Sequence, residues 1–306
     1  MLVLCTTKSL SGDKTWNANS GWHCTSWCES WAHRRGFRWR SFFDWEIVAV
    51  YLWAAIHDRP ASWACAPVNW PEDLWSGPLP SQSTVSRRLQ TTEVQRLLAD
   101  MEQRLAALSG GGWVMLVDGK PVTVGPYSKD PEAAWGRARR GWAKGYKLHA
   151  IDDAGSIPVA WEIVPLNESE PEVVARLVPS IRRGGGYLLG DKAYDSNPLH
   201  DAALAAGCQL VAERKRPHTG LGHRRHSPGR LRSIQLLGQE FGQQLYAFRD
   251  QIERNFGWLT NHAAGLAPLP NWVRRIWRAR TWVQAKLIIH AVYVYLNRTR
   301  FPLAIA

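Results

Sequence analysis

Residues 113–120 read WVMLVDGK and residues 187–196 read YLLGDKAYDS. Each is a short apolar run closed by an aspartate, Asp118 in the first and Asp191 in the second. A run of this kind, bounded by turn formers, is the pattern of a strand buried on both faces. Tyr146–Ile151 and Ile157–Val164 flank Asp153-Ala154-Gly155 and predict a hairpin. A helix is expected near Pro171 to Arg183, started by Ser169 or Glu170, and a second after Ser196, with Pro198 suited to its first turn. Cys208–Ala212 is a fifth apolar run. Strands mixed with crossover helices imply an α/β layer architecture, with parallel pairing at least between the first and fourth strands.

An acid directly after a buried strand sits at the carboxyl edge of the sheet, where open α/β folds place their sites. If the Asp118 and Asp191 strands are neighbours, the two carboxylates converge, and like charges so placed ionise comfortably only around a cation. Hard oxygen ligands suit magnesium or manganese. For either aspartate alone, a helix or turn cap is an equal reading; the symmetry of the pair favours a site.

The chain has 306 residues, room for one large domain or two ordinary ones, and its charge is 38 − 26 = +12. A 45% apolar, 21% charged chain is globular. The longest apolar run, near Phe42 to Ile56, carries Asp44 and Glu46 and is too short to span a bilayer, so no membrane association is expected. The first residues (MLVLCTTKSL) lack a basic n-region, so no signal peptide is expected either. Five scattered cysteines suggest reduced thiols in a cytosol. A strongly basic balance points to a polyanion partner, of which nucleic acid is the commonest. Eighteen tryptophans, ten of them before residue 76, have no explanation in the sequence.

A third acid stands on a helix expected to begin near Leu245. At 100° per residue Tyr246, Arg249, Glu253 and Thr260 share one face, while Leu245, Phe248, Ile252, Phe256 and Leu259 form a separate apolar face. On this helix alone, Arg249 and Glu253 read best as an ordinary i, i+4 ion pair.

Taken together these stretches resemble the bacterial insertion-sequence transposases of the insertion-sequence-four type. Tyr246-x2-Arg249-x3-Glu253 is similar to that family's Y-x2-R-x3-E-x6-K signature, with Thr260 in place of its closing lysine. VDGKPV around Asp118 and YLLGDKAYDS around Asp191 look like its two aspartate blocks. GYKLHAIDDAGSIPVAWEIVPLNESEP and the basic final stretch RRIWRARTWVQAKLIIHAVYVYLNR are also similar, so that the resemblance spans roughly residues 113–300. Asp118 and Asp191 lie 73 residues apart, and Asp191 and Glu253 lie 62 apart.

The resemblance implies an RNase H-like catalytic domain, a mixed sheet flanked by helices, with Asp118, Asp191 and Glu253 as catalytic residues holding two magnesium (or manganese) ions. One ion would activate water or a DNA 3′ hydroxyl, and the other would stabilise the leaving oxygen. Tyr246 and Arg249 would hold a phosphate beside the reacting strand. The implied partners are double-stranded DNA, as terminal inverted repeats and target, and a second copy in a homodimer on paired ends. The implied setting is the bacterial cytoplasm at the nucleoid. Thr260 removes a phosphate contact and leaves the metal ligands untouched. Thr260 and the unfamiliar first 80 residues keep open an inactive DNA-binding derivative, and a same-fold nuclease without strand transfer is a further alternative.

Residues 1–110 form the expected helical N-terminal DNA-binding region, and residues 111–306 the catalytic domain, joined near Ser-Gly-Gly-Gly at 109–112. SQSTVSRRLQ at 81–90, with Arg87 and Arg88, is read evenly as the recognition helix of a helix-turn-helix or as a basic surface helix. Arg137, Arg139, Arg140, Lys144 and Lys147 make a second basic segment suited to clamping phosphate. Within an expected basic loop at about 214–240, residues 214–232 carry seven Arg or Lys and no acid, and Arg274, Arg275, Arg278 and Arg280 add charge near the final helix. Trp258 reads as core in preference to a base-stacking ring, and His23-Cys24-x3-Cys28-x4-His33 is too loosely spaced for a structural zinc site.

Overall fold

The computed structural model describes residues 42–108, 112–138, 141–153, 157–181, 185–223, 225–261, 265–266 and 268–300. The chain divides into two compact units, Met1–Arg104 with Leu296–Ala306, and Leu105–Tyr295. The His23/Cys24/Cys28/His33 group, Arg139, Arg140 and the side chains of Trp258 and Thr260 lie outside the described residues.

The first unit contains α1 (Asp44–Ile56), the short α2 (Ala61–Ala64), α3 (Gln82–Arg88) and most of α4 (Thr92–Ala107). The helix read at 81–90 ends as α3, and α4 is separate from it, because the chain turns at Leu89–Thr91, where Leu89 is buried and the Thr91 hydroxyl donates to the Arg88 carbonyl. Four of the early tryptophans acquire a structural role here. Trp53 stacks on Trp70 at 4.9 Å between ring centres, Trp70 meets Trp75 at 5.0 Å, and Trp75 meets Trp45 at 6.2 Å. The indole N–H groups of Trp53 and Trp70 donate to the Asn69 and Ala64 carbonyls, so the polar end of each ring is satisfied. Aromatic stacking thus binds the proline-rich segment, which has little regular structure, to α1.

The second unit is a mixed α/β fold. Its strands are β1 (Val114–Thr123), β2 (Ala134–Ala138), β3 (Gly141–Asp153), β4 (Pro158–Pro165), β5 (Tyr187–Gly190) and β6 (Gln209–Ala212). They lie in the order β2-β3-β1-β5-β6, with β4 also pairing β3. β1, β5 and β6 are parallel, joined through α5 (Glu170–Leu177) and α6 (Asn197–Ala205), while β2, β3 and β4 run antiparallel. α6 starts as its sequence requires: the Ser196 hydroxyl accepts from the Leu199 amide, and Pro198 lies in the first turn. Met115, Val117, Ile151, Leu188 and Leu210 face α5 and α6 in one core with Val173, Val174, Leu177 and Leu199. The opposite face of the sheet meets α9 (Asp250–Asn261), whose Asn255 donates to Asp152 of β3 at 3.2 Å.

Three expectations are corrected. β1 does not stop at Asp118; it continues to Thr123, because residues 119–123 pair with residues 145–149 of β3. β2, within the segment read only as basic, is a strand, and its Gly136 packs so closely that a Cβ there would stand 2.5 Å from the Leu166 carbonyl oxygen. The basic stretch is irregular only as far as Ser227: Pro228 opens α7 (Pro228–Leu237), and α8 (Glu240–Ala247) follows. α10 (Ile276–Arg300) closes the chain. Among the described residues no helix is long and apolar enough to cross a membrane.

Candidate active site

The parallel register sets the site. Val114 pairs with Tyr187, Met115 with Leu188 and Leu116 with Leu189, a constant offset of 73 residues. That offset, carried two residues further, brings Asp191 level with Asp118. The spacing read from the sequence is therefore the register of β1 against β5. Asp191 is still extended (φ −73°, ψ 178°) and caps a single tight turn, its carboxylate accepting from the Ala193 amide at 2.7 Å. The Asp118 carboxylate accepts from the Gly119 amide at 2.7 Å.

The electrostatics of Asp118 report its neighbours. Burial, then the charges of Asp191, Glu170 and Glu253, push its carboxyl up to about 6 against the opposing Gly119 amide. Asp191 and Glu253 thus both act on Asp118, and a further acid, Glu170 at the start of α5, joins them. Sequence reasoning placed Glu170 only as a helix start; nothing in its local pattern marks it. Lys147 holds it in place, Nζ to Oε1 at 2.5 Å, which removes the buried Lys147 from the phosphate-binding role expected for it.

Tyr194 lies beneath these carboxylates. It is fully buried, its hydroxyl has no partner among the described residues, and its pKa is raised well above 10 by burial and by Asp118, Glu170 and Asp191. The adjacent Gly190 is required there: a Cβ would stand 2.8 Å from the Tyr194 ring and 3.0 Å from Val117. On the other side Asp152 is completely buried and pushed up to about 7, by burial and by Asp153 and Asp118, with Asn255 opposing. The Asn255–Asp152 hydrogen bond ties α9 to β3 two residues from Glu253 and so fixes where that acid is presented. His149, opposite Gly119, is buried; burial, then Lys147 and Arg176, lower it to about 3, so it is neutral.

The expected single Tyr-Arg-Glu helix is broken. α8 ends at Ala247 and α9 begins at Asp250, with Arg249 at the junction and its amide donating to the Tyr246 carbonyl. The break turns Phe248 outward (58% exposed), against its expected place on the apolar face, while Leu245, Ile252, Phe256 and Leu259 remain buried. Tyr246 still faces the site: its hydroxyl donates to the Gly190 carbonyl at 3.2 Å, clipping α8 to the end of β5. Arg249 lies over the Tyr246 ring at 5.8 Å and 3.8 Å from the Glu253 carboxylate, which is 66% exposed.

Of the expected basic contacts, Arg88 is committed inside the first unit, where its guanidinium donates to the Phe42 carbonyl and pairs with Asp44. That interaction satisfies its charge and turns it from solvent, while Arg87 remains exposed. Arg137 is exposed on β2, and Lys144 of β3 donates to the Ser128 carbonyl at 2.7 Å.

Whether the acids suit a divalent ion is decided by their chemistry. The facing donors are carboxylate oxygens, the hard ligands that magnesium takes, and their mutual repulsion together with the orphaned Tyr194 hydroxyl is what a cation and its waters would relieve. Among the described residues no three His, Cys, Asp or Glu side chains already form a metal cage, consistent with the outward position of Glu253.

A mixed sheet with Asp118 on one strand and Asp191 just past the end of its parallel neighbour defines a carboxylate-bearing α/β domain. The transposase DDE domain family matches residues 109–290, more than half of the chain, and the chain belongs to that family. Among solved structures it is similar to one described as a piggyBac transposase synaptic complex with hairpin DNA, at 10% identity and a TM-score of 0.46, over 89% of this chain and 70% of that one. No curated protein matches it.

Proposed function

We propose that the chain cuts and joins DNA strands at the ends of an insertion sequence by metal-dependent phosphoryl transfer. One observation carries this reading: the β1–β5 register sets Asp191 level with Asp118, and Glu253 acts on the same carboxyl. Asp118, Asp191 and Glu253 would hold two magnesium or manganese ions, which supply an activated oxygen nucleophile and stabilise the leaving oxygen.

The remaining roles fall to the chain itself. Arg249 offers a guanidinium beside Glu253 for bidentate contact with a phosphate. The Tyr246 hydroxyl, pushed up to about 12 by burial and by Glu213, stays protonated and holds the end of β5, with Arg249 resting on its ring. Lys147 anchors Glu170 and keeps that acid's charge against Asp118. Arg87 in the N-terminal region, with Arg137, Arg139, Arg140 and Lys144 on the second unit, would contact the backbone of double-stranded DNA. Two copies on paired ends would complete the reaction.

The test is a cleavage and strand-transfer assay on DNA carrying the sequences that flank the gene, with magnesium, manganese or chelator. Metal-dependent 3′ ends and joined products, lost in Glu253→Gln, are expected. Cleavage without joining would identify a nuclease. Binding without cleavage under either metal would identify an inactive DNA-binding derivative, with Thr260→Lys the variant to test next.

A further inference from the structure

The β2–β3 ribbon carries an arrangement that phosphate clamping alone does not explain. Trp135 pairs across the ribbon with Lys144, and Arg137 pairs with Trp142. Residues facing one another across antiparallel strands share a side of the sheet, as do residues two apart on one strand. The four side chains therefore occupy one face as a checkerboard of indole and cation. The other face is closed, since Gly136 packs against Leu166 with no room for a Cβ.

Both indoles are open to solvent, Trp135 at 51% and Trp142 at 75%, an unusual cost for the largest apolar side chain. The row they belong to leads to the catalytic edge. Asp118 pairs with Ala150, and Ala150, Leu148, Tyr146, Lys144 and Trp142 alternate along one side of β3. This row is buried from Ala150 to Tyr146 and exposed at Trp142, so the ribbon runs out from under the helices on the face that bears Asp118. Eight residues of strand separate the level of Asp118 from Trp142. That is about 26 Å at ~3.3 Å per residue, or about eight nucleotides of a stacked strand at ~3.4 Å each.

We propose that the Trp135/Trp142 face of the β2–β3 ribbon binds unpaired bases of a DNA strand, each indole stacking on a base while Arg137 and Lys144 neutralise the neighbouring phosphates. Charge complementarity selects the occupant: a +12 chain presents cations between these rings, and a planar, anionic polymer meets both features at once. A purely apolar partner would leave Arg137 unpaired. The inference rests on the DNA reading of the active site and deepens it, because it assigns the single-stranded part of the substrate to a surface of its own.

The experiment compares fluorescein-labelled oligothymidylate, a blunt duplex, and the same duplex with an unpaired tail, by fluorescence anisotropy with the full chain at several salt concentrations. Trp135→Ala/Trp142→Ala is expected to weaken the single strand and the tailed duplex about tenfold or more, to spare the blunt duplex, and to leave the salt slope unchanged. Trp135→Phe/Trp142→Phe, which keeps two stacking rings, is expected to recover most of the loss. Arg137→Gln is expected to flatten the salt slope by about one phosphate contact. Unchanged affinity for the single strand, or an equal loss on the blunt duplex, would overturn the proposal. Strand cleavage is measured on the same preparations. A wild-type chain that cleaves and joins while the alanine variant binds normally refutes the ribbon and keeps the transposase reading. A chain with no metal-dependent chemistry whose alanine variant loses single-strand binding does the reverse.

Discussion

Asp118→Asn is expected to make the metal-free protein more stable while abolishing its chemistry. The Asp118 carboxyl is raised from its ordinary value of 3.8 to about 6 by burial and then by Asp191, Glu170 and Glu253. It is thus roughly a hundredfold weaker an acid in the folded chain, which at ~1.4 kcal/mol per tenfold is about 3 kcal/mol of folding free energy when ionised. Because the group is partly open to solvent, about 2 kcal/mol is the better expectation. Between these two pKa values the folded state binds more protons than the unfolded one, so the penalty is absent below the lower value, grows as pH rises, and is complete above about 6. Asparagine carries no such charge, and its side-chain oxygen can still accept from the Gly119 amide. Urea unfolding in chelator should therefore show the variant more stable well above pH 6 and the gap narrowing toward acid. Magnesium should stabilise the wild type more than the variant. Equal stability of the two proteins in alkaline buffer, or a gap independent of pH, would refute the claim that like charges converge on Asp118.

Arg230→Met should destabilise the second unit by about 3–5 kcal/mol, read as a fall in Tm, because it strands the buried Asp195, which Arg230 grips at 2.5 and 2.8 Å. Burial would raise the Asp195 carboxyl, yet Arg230, His200 and the Lys215 amide hold it far below the usual carboxylate range; its stabilising share persists above about pH 4 and is lost on further acidification, a dependence absent from the variant. Gly242→Ala should lower soluble yield and Tm sharply, since its Cβ would fall 1.8 Å from the Leu236 carbonyl oxygen, a backbone atom that cannot move aside alone. Tyr246→Phe removes the hydroxyl bond to Gly190 and should cost about 1 kcal/mol in unfolding experiments, with strand cleavage reduced while the salt dependence of DNA binding is kept.

The local chemistry of this chain is legible because its elements are short and sharply bounded. The runs before Asp118 and Asp191, the Ser196–Pro198 helix start and the parallel pairing of β1 with β5 all follow from apolar runs and turn formers that act over a few residues. Asp118 and Asp191 stand out for the same reason, each closing its own apolar run, whereas Glu253 is singled out by the family resemblance and not by its helix. What the sequence did not determine depends on residues far apart in the chain. Glu170 acts on Asp118 from a helix start 52 positions away, and Asn255 meets Asp152 across 103 residues; neither has a local signal. The break at Arg249 and the outward turn of Phe248 override a helical period that runs through them unchanged. Arg88 and Lys147 read as surface cations until folding supplies Asp44 and Glu170. Sequence order fixes which residues can form strands and helices, because those forces are local; which charges face one another depends on how the sheet is paired and covered, and only the tertiary structure decides that.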